Sequence, residues 1–416
     1  MTSLGPDYRR FWTASALSNL ADGVFQVALP LLAVRLTHSP ALIAGVAFAN
    51  RLPWLLFALQ AGALADRLDR RRTMFNVDLV RVVLIGGLAA LTAAGAEHLW
   101  ALYAVALALG VGETLFDTAA QSVMPSVVDR DQLSRANGRL YAVELTMNQF
   151  VGPPLGGVLA AAAVALAFAT SASAYLLAAV ALALVSGSFK PVRTGPRTTL
   201  RTDIAEGLRY LFGHRLLRTL AIMVGVMNLA STATFSVFPL FAIEPGPMGL
   251  SELGFGVILT ATAAGSLLGS LCTARLERAM GRHRLLMLTI VLSGPTLALT
   301  ATANVPLVLL GGVLMGFGVV MWNVVTVSLR QRVAPDHLLG RVNAGYRLLA
   351  WGTMPVGAFL GGLLGELVGL RATFVIAGGG CALLLFLKPF VTDEAMEAAE
   401  REAEERAASE PAPAAP

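Results

Sequence analysis

A chain of 416 residues in which 56% are hydrophobic and only 14% charged is too poor in charge for a soluble protein, where about a quarter of residues carry one. The formal net charge of +5 is gathered in short segments between long apolar runs, a distribution that membrane topology explains and nucleic-acid binding does not. Five histidines at or beyond the ends of those runs, and two cysteines far apart within them (Cys272 and Cys381), make neither a metal constellation nor a disulfide framework.

Apolar runs of about 20 residues recur from end to end, so the fold class is all-α and polytopic in a membrane. Twelve spans are predicted, at residues 11–36, 41–64, 74–94, 99–123, 137–161, 165–188, 216–241, 253–274, 285–303, 306–328, 343–366 and 371–391. The first is too long for a signal peptide and lacks a small-residue cleavage site, so no cleavable leader is expected. Loops after even-numbered spans hold Arg67 to Arg72, Arg130 and Arg135, Lys190 to Arg215, Arg275 to Arg284, and Arg330 to Arg341. The alternate loops hold little that is basic beyond Arg35 and Arg371. Because basic short loops stay inside, both termini are expected in the cytoplasm of a cell-membrane protein.

The spans group as residues 1–188, a six-helix bundle, and 216–391, a second one. Residues 189–215 are a basic linker, in which Leu200, Ile204, Leu208 and Leu211 at helical spacing predict an amphipathic helix on the inner membrane surface. The tail, 392–416, is acidic and then Pro/Ala-rich; it reads as a short helix followed by disorder. The halves repeat in parallel: Gly110-x-Gly112 and Arg135-x-Asn137 recur 206 positions on, as Gly316-x-Gly318 and Arg341-x-Asn343.

Ionisable residues within spans are costly in hydrocarbon and mark function. Asp22, Arg51 and Glu113 lie midway along spans 1, 2 and 4, and Asp117 follows Glu113 by one turn. At ~1.5 Å per residue the first three sit roughly 15–20 Å from the inner ends of their spans, at one depth. A pairing of Asp22 with Arg51 is expected, leaving Glu113, beside Asp117 and without a cation in its span, as the leading proton carrier and Asp22 and Asp117 as further candidates. Asp78 and Arg81, three apart at the inner end of span 3, are expected to brace the basic loop beside them. The sequence holds no G-x-x-x-x-G-K-[ST], no H-E-x-x-H and no nucleophile elbow, so no nucleotide, metal, cofactor or enzyme chemistry is expected.

Two motifs carry a resemblance. Gly62, Leu64, Asp66, Arg67, Arg70 and Arg71, in the loop between spans 2 and 3, match the G-x-L-x-D-R-x-G-R-R/K loop of the major facilitator superfamily, with Asp69 in place of its second glycine. In span 5, Gly152, Pro153, Gly156 and Gly157 resemble the GPxxGG core of the drug–proton antiporter motif, although Arg139 and Asn148 stand where the full motif has glycines. The loop after span 4, with Pro125, Arg130, Asp131, Leu133 and Asn137, is similar to the branch of siderophore and macrolide exporters. The resemblance implies two parallel six-helix halves working by alternating access. Asp66, Arg67, Arg70 and Arg71 would then gate the inner side. Spans 1, 4, 7 and 10 would line a cavity, placing Asp22, Glu113, Asn228 and Asn323 there and offering Phe25, Phe116, Phe235 and Trp322 as apolar surface. It implies a monomeric proton antiporter exporting small amphiphilic drugs, siderophores or other metabolites, with membrane lipids, protons and substrate as its partners and no nucleic acid. Two other classes stay open: a lipid or lysolipid flippase of the same fold, and a non-transporting receptor or scaffold, against which the short tail counts.

Overall fold

The computed structural model describes residues 5–57, 68–123, 128, 132–186 and 200–409. The gate-loop residues Gly62, Asp66 and Arg67, and the loop residues Pro125, Arg130 and Asp131, lie outside them. The helices are α1 (Pro6–Leu36), α2 (Pro40–Leu56), α3 (Arg70–Ala93), α4 (Leu99–Val123), the three-part rod α5 over 133–162, α6 (Val164–Ala183), α7 (Leu200–Gly213), α8 (Arg215–Ala242), α9 (Glu252–Met280), α10 (Arg282–Leu299), α11 (Val305–Val333), α12 (Asp336–Leu367), α13 (Leu370–Ala382) and α14 (Asp393–Ser409). Among the described residues ten helices are long and apolar enough to cross a membrane. With the shorter α2 and the broken rod α5 they supply the twelve predicted spans.

Helix starts follow the local sequence. Ser39 caps α2 and Asn304 caps α11, each followed closely by proline. Asp69 caps α3, its carboxylate accepting from the Arg72 amide at 3.0 Å. An aspartate therefore suits the place where the loop motif has glycine, because here that position begins a helix. Gly281, at φ +84°, makes the turn between α9 and α10 that a side chain would strain.

The rod α5 runs as helix through Leu145, widens into a π-turn over Thr146–Val151, and resumes at Gly152. Pro153 has no N–H to give and its ring crowds the preceding carbonyls, so the ladder opens by one residue. The glycines that follow let backbones meet. A Cβ on Gly152 would stand 2.6 Å from the Cα of Gly23, one on Gly156 2.9 Å from the carbonyl oxygen of Val24, and one on Gly157 2.8 Å from that of Glu252.

The chain divides into two compact units. The first comprises residues 1–195, 235–263 and 358–370, and the second 196–234, 264–357 and 371–416. In the first, α6 packs on both α1 and α3, α2 packs on α4, and α5 packs on α1. Within the same unit Arg35 pairs with Glu252 at 3.0 Å, and Ser39 donates to Glu366 at 2.9 Å, both at the end away from the basic loops.

In the second unit α10 packs on α11, and α14 lies against α11. The tail is helical as far as Ser409, as expected, and it is docked; the Pro/Ala-rich end expected to be disordered, residues 410–416, lies outside the described residues. Its apolar side buries Met396 and Ala399 in the unit's core, and Glu400 accepts from Arg282 and Arg332. The amphipathic helix is present as α7. It packs by Gly207 on the backbone of Arg341, while Glu206 pairs with the Arg341 guanidinium.

Candidate functional site

The first unit encloses a cluster of charge built by four helices. Asp78 and Arg81, one turn apart on α3, are 0% and 3% exposed and lie 3.3 Å apart. Arg81 also donates to Ser18 of α1 at 3.4 Å. Its guanidinium is flanked by two rings, Phe116 of α4 at 5.0 Å and Tyr175 of α6 at 5.1 Å from the ring centroids. The Tyr175 hydroxyl donates to the carboxylate of Asp22 on α1. Asp22, Asp78, Tyr175 and Glu113 all act electrostatically on Arg81. Expected to brace the basic loop, Asp78 and Arg81 have their contacts among the described residues with α1, α4 and α6, beside Asp22 in the interior.

A second pair sits beside the first. Arg51 of α2 meets Glu113 of α4 at 3.5 Å, with side chains 39% and 33% exposed. This corrects the expectation that Asp22 pairs with Arg51, and gives Glu113, which has no cation in its own span, one from the neighbouring helix. Counting residues along a helix gives depth but not the direction a side chain faces. Since α2 packs on α4, and α1 chiefly on α6 and α5, Arg51 faces Glu113, and Asp22 faces Tyr175 and Arg81. Asp117 lies on α4, and its side chain is outside the described residues.

The remaining candidates scatter. Arg71 donates to the carbonyl of Val185, and Arg70 opens α3. Phe25 is buried with its ring 6.0 Å from that of Phe168, Phe116 is buried beneath Arg81, and Trp322 is buried with its indole nitrogen 3.4 Å from the Tyr346 hydroxyl. Asn228 donates to the Ala350 carbonyl at 2.7 Å and Asn323 to that of Val319 at 3.0 Å. Phe235 is half exposed. Sequence reasoning missed Tyr175, although a tyrosine in the middle of an apolar span carries a hydroxyl that needs a partner. It also left Arg330 in an inner loop. In the second unit Arg330 is buried, stacked 3.8 Å from the Tyr346 ring centroid, and gives its Nε to Asn343 at 2.6 Å.

Membrane-length helices around a buried charge cluster are the architecture of a membrane transporter. The chain matches, over residues 5–415, the family described as transmembrane secretion effector, and it belongs to that family within the major facilitator superfamily. It is 31% identical over 385 residues to a multidrug efflux pump, Tap, of Mycobacterium tuberculosis, covering 87% of this chain and 88% of that one. It is 26% identical over 383 residues to the enterobactin exporter EntS of Shigella boydii, covering 91% and 90%. The fold is similar to the crystal structure of a bacterial homologue of the iron transporter ferroportin in an inward-facing state, with a TM-score of 0.76, 18% identity, and 94% and 100% of the two chains covered. The protein is thus a multi-pass membrane transporter of the major facilitator fold and not an enzyme.

Proposed function

We propose that the protein exports small amphiphilic molecules in exchange for protons, by alternating access between two halves, 1–188 and 216–391, joined by the linker 189–215. The observation that carries the proton-coupled part is the buried cluster of Asp22, Asp78, Arg81 and Tyr175. Carboxyls held in a membrane interior change proton affinity when a neighbouring cation or donor moves, and a conformational cycle moves such neighbours. The export direction is supported by the functions of the named relatives, a multidrug efflux pump and an enterobactin exporter. Glu113, Asp22 and Asp117 remain on the proton path of this reading. Asn228, Phe235 and Asn323 offer hydrogen bonds and apolar surface to the cargo; Phe25, Phe116 and Trp322 would do so only after repacking. Asp66, Arg67, Arg70 and Arg71 act at the inner gate, and both termini lie in the cytoplasm.

The test is transport by the purified full chain in proteoliposomes. With the protein's inner face outward and an acidic lumen, a lipophilic fluorescent cation such as ethidium is expected to accumulate inside, and the accumulation to collapse when nigericin dissipates the pH gradient. Uptake indifferent to the gradient would overturn proton coupling. Movement of fluorescent phospholipid with none of a panel of soluble amphiphiles would make the protein a flippase instead.

A further inference from the structure

The buried cluster does not balance. Two acids, Asp22 and Asp78, face one cation, Arg81, while the neighbouring charges Arg51 and Glu113 neutralise each other at 3.5 Å. Tyr175 brings a hydroxyl and no charge. With both acids ionised, the interior would hold an uncompensated negative charge, which a low-dielectric setting relieves by binding a proton.

The surroundings of the two acids differ. Asp22 receives the Tyr175 hydroxyl and lies within electrostatic reach of Arg81 and Arg51. A donor aimed at a carboxylate favours its ionised form. Asp78 is fully buried, and only its Oδ1 meets Arg81, at 3.3 Å, near the long limit for such a bond. Its Oδ2 has no hydrogen-bond partner among the described residues. A bare carboxylate oxygen is among the costliest groups to bury, and the neutral acid costs much less. The groups that face Asp78 are Arg81 on its own helix, Ser18 and Asp22 from α1, and Tyr175 from α6, with Glu113 and Phe116 of α4 reaching it through Arg81. None of them adds a second cation.

We propose that Asp78 holds a proton in this conformation while Asp22 stays ionised against the Tyr175 hydroxyl, and that the proton exchanged during transport is the one on Asp78. The second clause rests on the antiport reading; the first does not. Release follows if Arg81 closes on Asp78 from its present 3.3 Å and reaches the bare Oδ2: the O–H bond of Asp78 breaks, the proton leaves to water, and the guanidinium holds the resulting carboxylate. The arginine, pinned between two rings on two other helices, is the element that a relative shift of α1, α3, α4 and α6 would re-aim.

Infrared difference spectroscopy of the full chain in lipid reads the proton without transport. The wild type at neutral pH is expected to show the C=O stretch of a protonated carboxylic acid. Asp78→Glu is expected to shift that band and Asp22→Glu to leave it in place. A wild type without the band, or a band that moves with Asp22→Glu alone, overturns the assignment. Asp78→Asn, a neutral isostere of the protonated acid, is expected to fold, to keep substrate counterflow, and to lose gradient-driven accumulation. Wild-type accumulation in Asp78→Asn would overturn its part in coupling. If instead the wild type ignores the pH gradient while the band behaves as expected, the antiport reading fails and the location of the proton stands.

Discussion

At the scale of single residues, the two neighbouring charge groups of the first unit differ in how much water they keep. Tyr175 is 2% exposed, and its hydroxyl serves Asp22. Tyr175→Phe keeps the ring beside Arg81 and removes only the donor, leaving a carboxylate in the interior one hydrogen bond short; the expected cost is about 1–3 kcal/mol. Glu113→Gln breaks a pair whose members keep 39% and 33% of their surface, so screening discounts it and the expected cost is about 0.2–1 kcal/mol. Thermal unfolding of the two variants in the same detergent checks the order: Tyr175→Phe is expected to melt lower. Equal midpoints would mean that the tyrosine hydroxyl does not stabilise the ionised acid. The shared depth of Arg51 and Glu113 was legible in the sequence, because rise per residue is fixed; that of Asp78 and Arg81, expected at an inner end, was not. Nor were the partners of these charges. Partners depend on which helix each one faces, and that is decided by contacts such as Gly23 against Gly152, where two backbones approach through glycines on distant segments.

At the scale of elements, sequence reasoning did well where a segment is governed by its own residues. The twelve spans and the amphipathic α7 are local, and all are present. It anticipated a helix in the tail but not its docking, since the composition of α14, DEAMEAAEREAEERAAS, offers little apolar surface. What orders it is tertiary. The carboxylate of Asp393 accepts the His283 amide at 2.9 Å at the start of α10, Met396 fills the core, and Glu400 spans Arg282 and Arg332. Arg406 donates to the Tyr210 hydroxyl of α7 at 3.1 Å, so the tail also holds the linker helix. The Glu400 carboxyl lies below its ordinary value, first because Arg282 hydrogen-bonds its charged form and then because the charges of Arg282 and Arg332 favour it. A carboxyl depressed on docking contributes stability at pH values above its free value, about 4.3, and loses it as pH falls through the docked value. A nitroxide on Glu404→Cys, with the two native cysteines replaced by alanine, is therefore expected to be immobile at neutral pH and to gain mobility in acid below the ordinary carboxylate range. Glu400→Gln should raise mobility already at neutral pH and flatten the response. Unchanged mobility across that pH range would show that Met396 and Ala399 alone hold the helix.

At the scale of the whole molecule, the internal repeat of 206 residues is legible in the amino-acid sequence alone, since two motifs at one offset imply a duplicated six-helix plan. The second copy of Arg-x-Asn is used in specific ways. Arg341 pairs with Glu206, and Asn343 takes the Nε of the buried Arg330. Neither contact follows from the repeat itself, because Glu206 lies in the linker, which has no counterpart in the first half. Orientation in the bilayer rests on a separate argument. The segment between α3 and α4 carries Glu97 and His98 and no lysine or arginine, whereas the linker before α7 carries Lys190, Arg193 and Arg197. Moving arginines across an energised membrane opposes its potential and the anionic inner leaflet, so the basic segment is expected to stay in the cytoplasm. Glu97→Cys and Pro196→Cys, each in a background with Cys272 and Cys381 replaced by alanine, put this to the test in intact cells. An impermeant maleimide is expected to label the first directly and the second only after the membrane is permeabilised. Labelling of Pro196→Cys in intact cells would invert the topology, turn both termini outward, and place the Arg282–Glu400–Arg332 contact of the tail on the outer surface, where the inner-leaflet argument for its basic partners no longer applies.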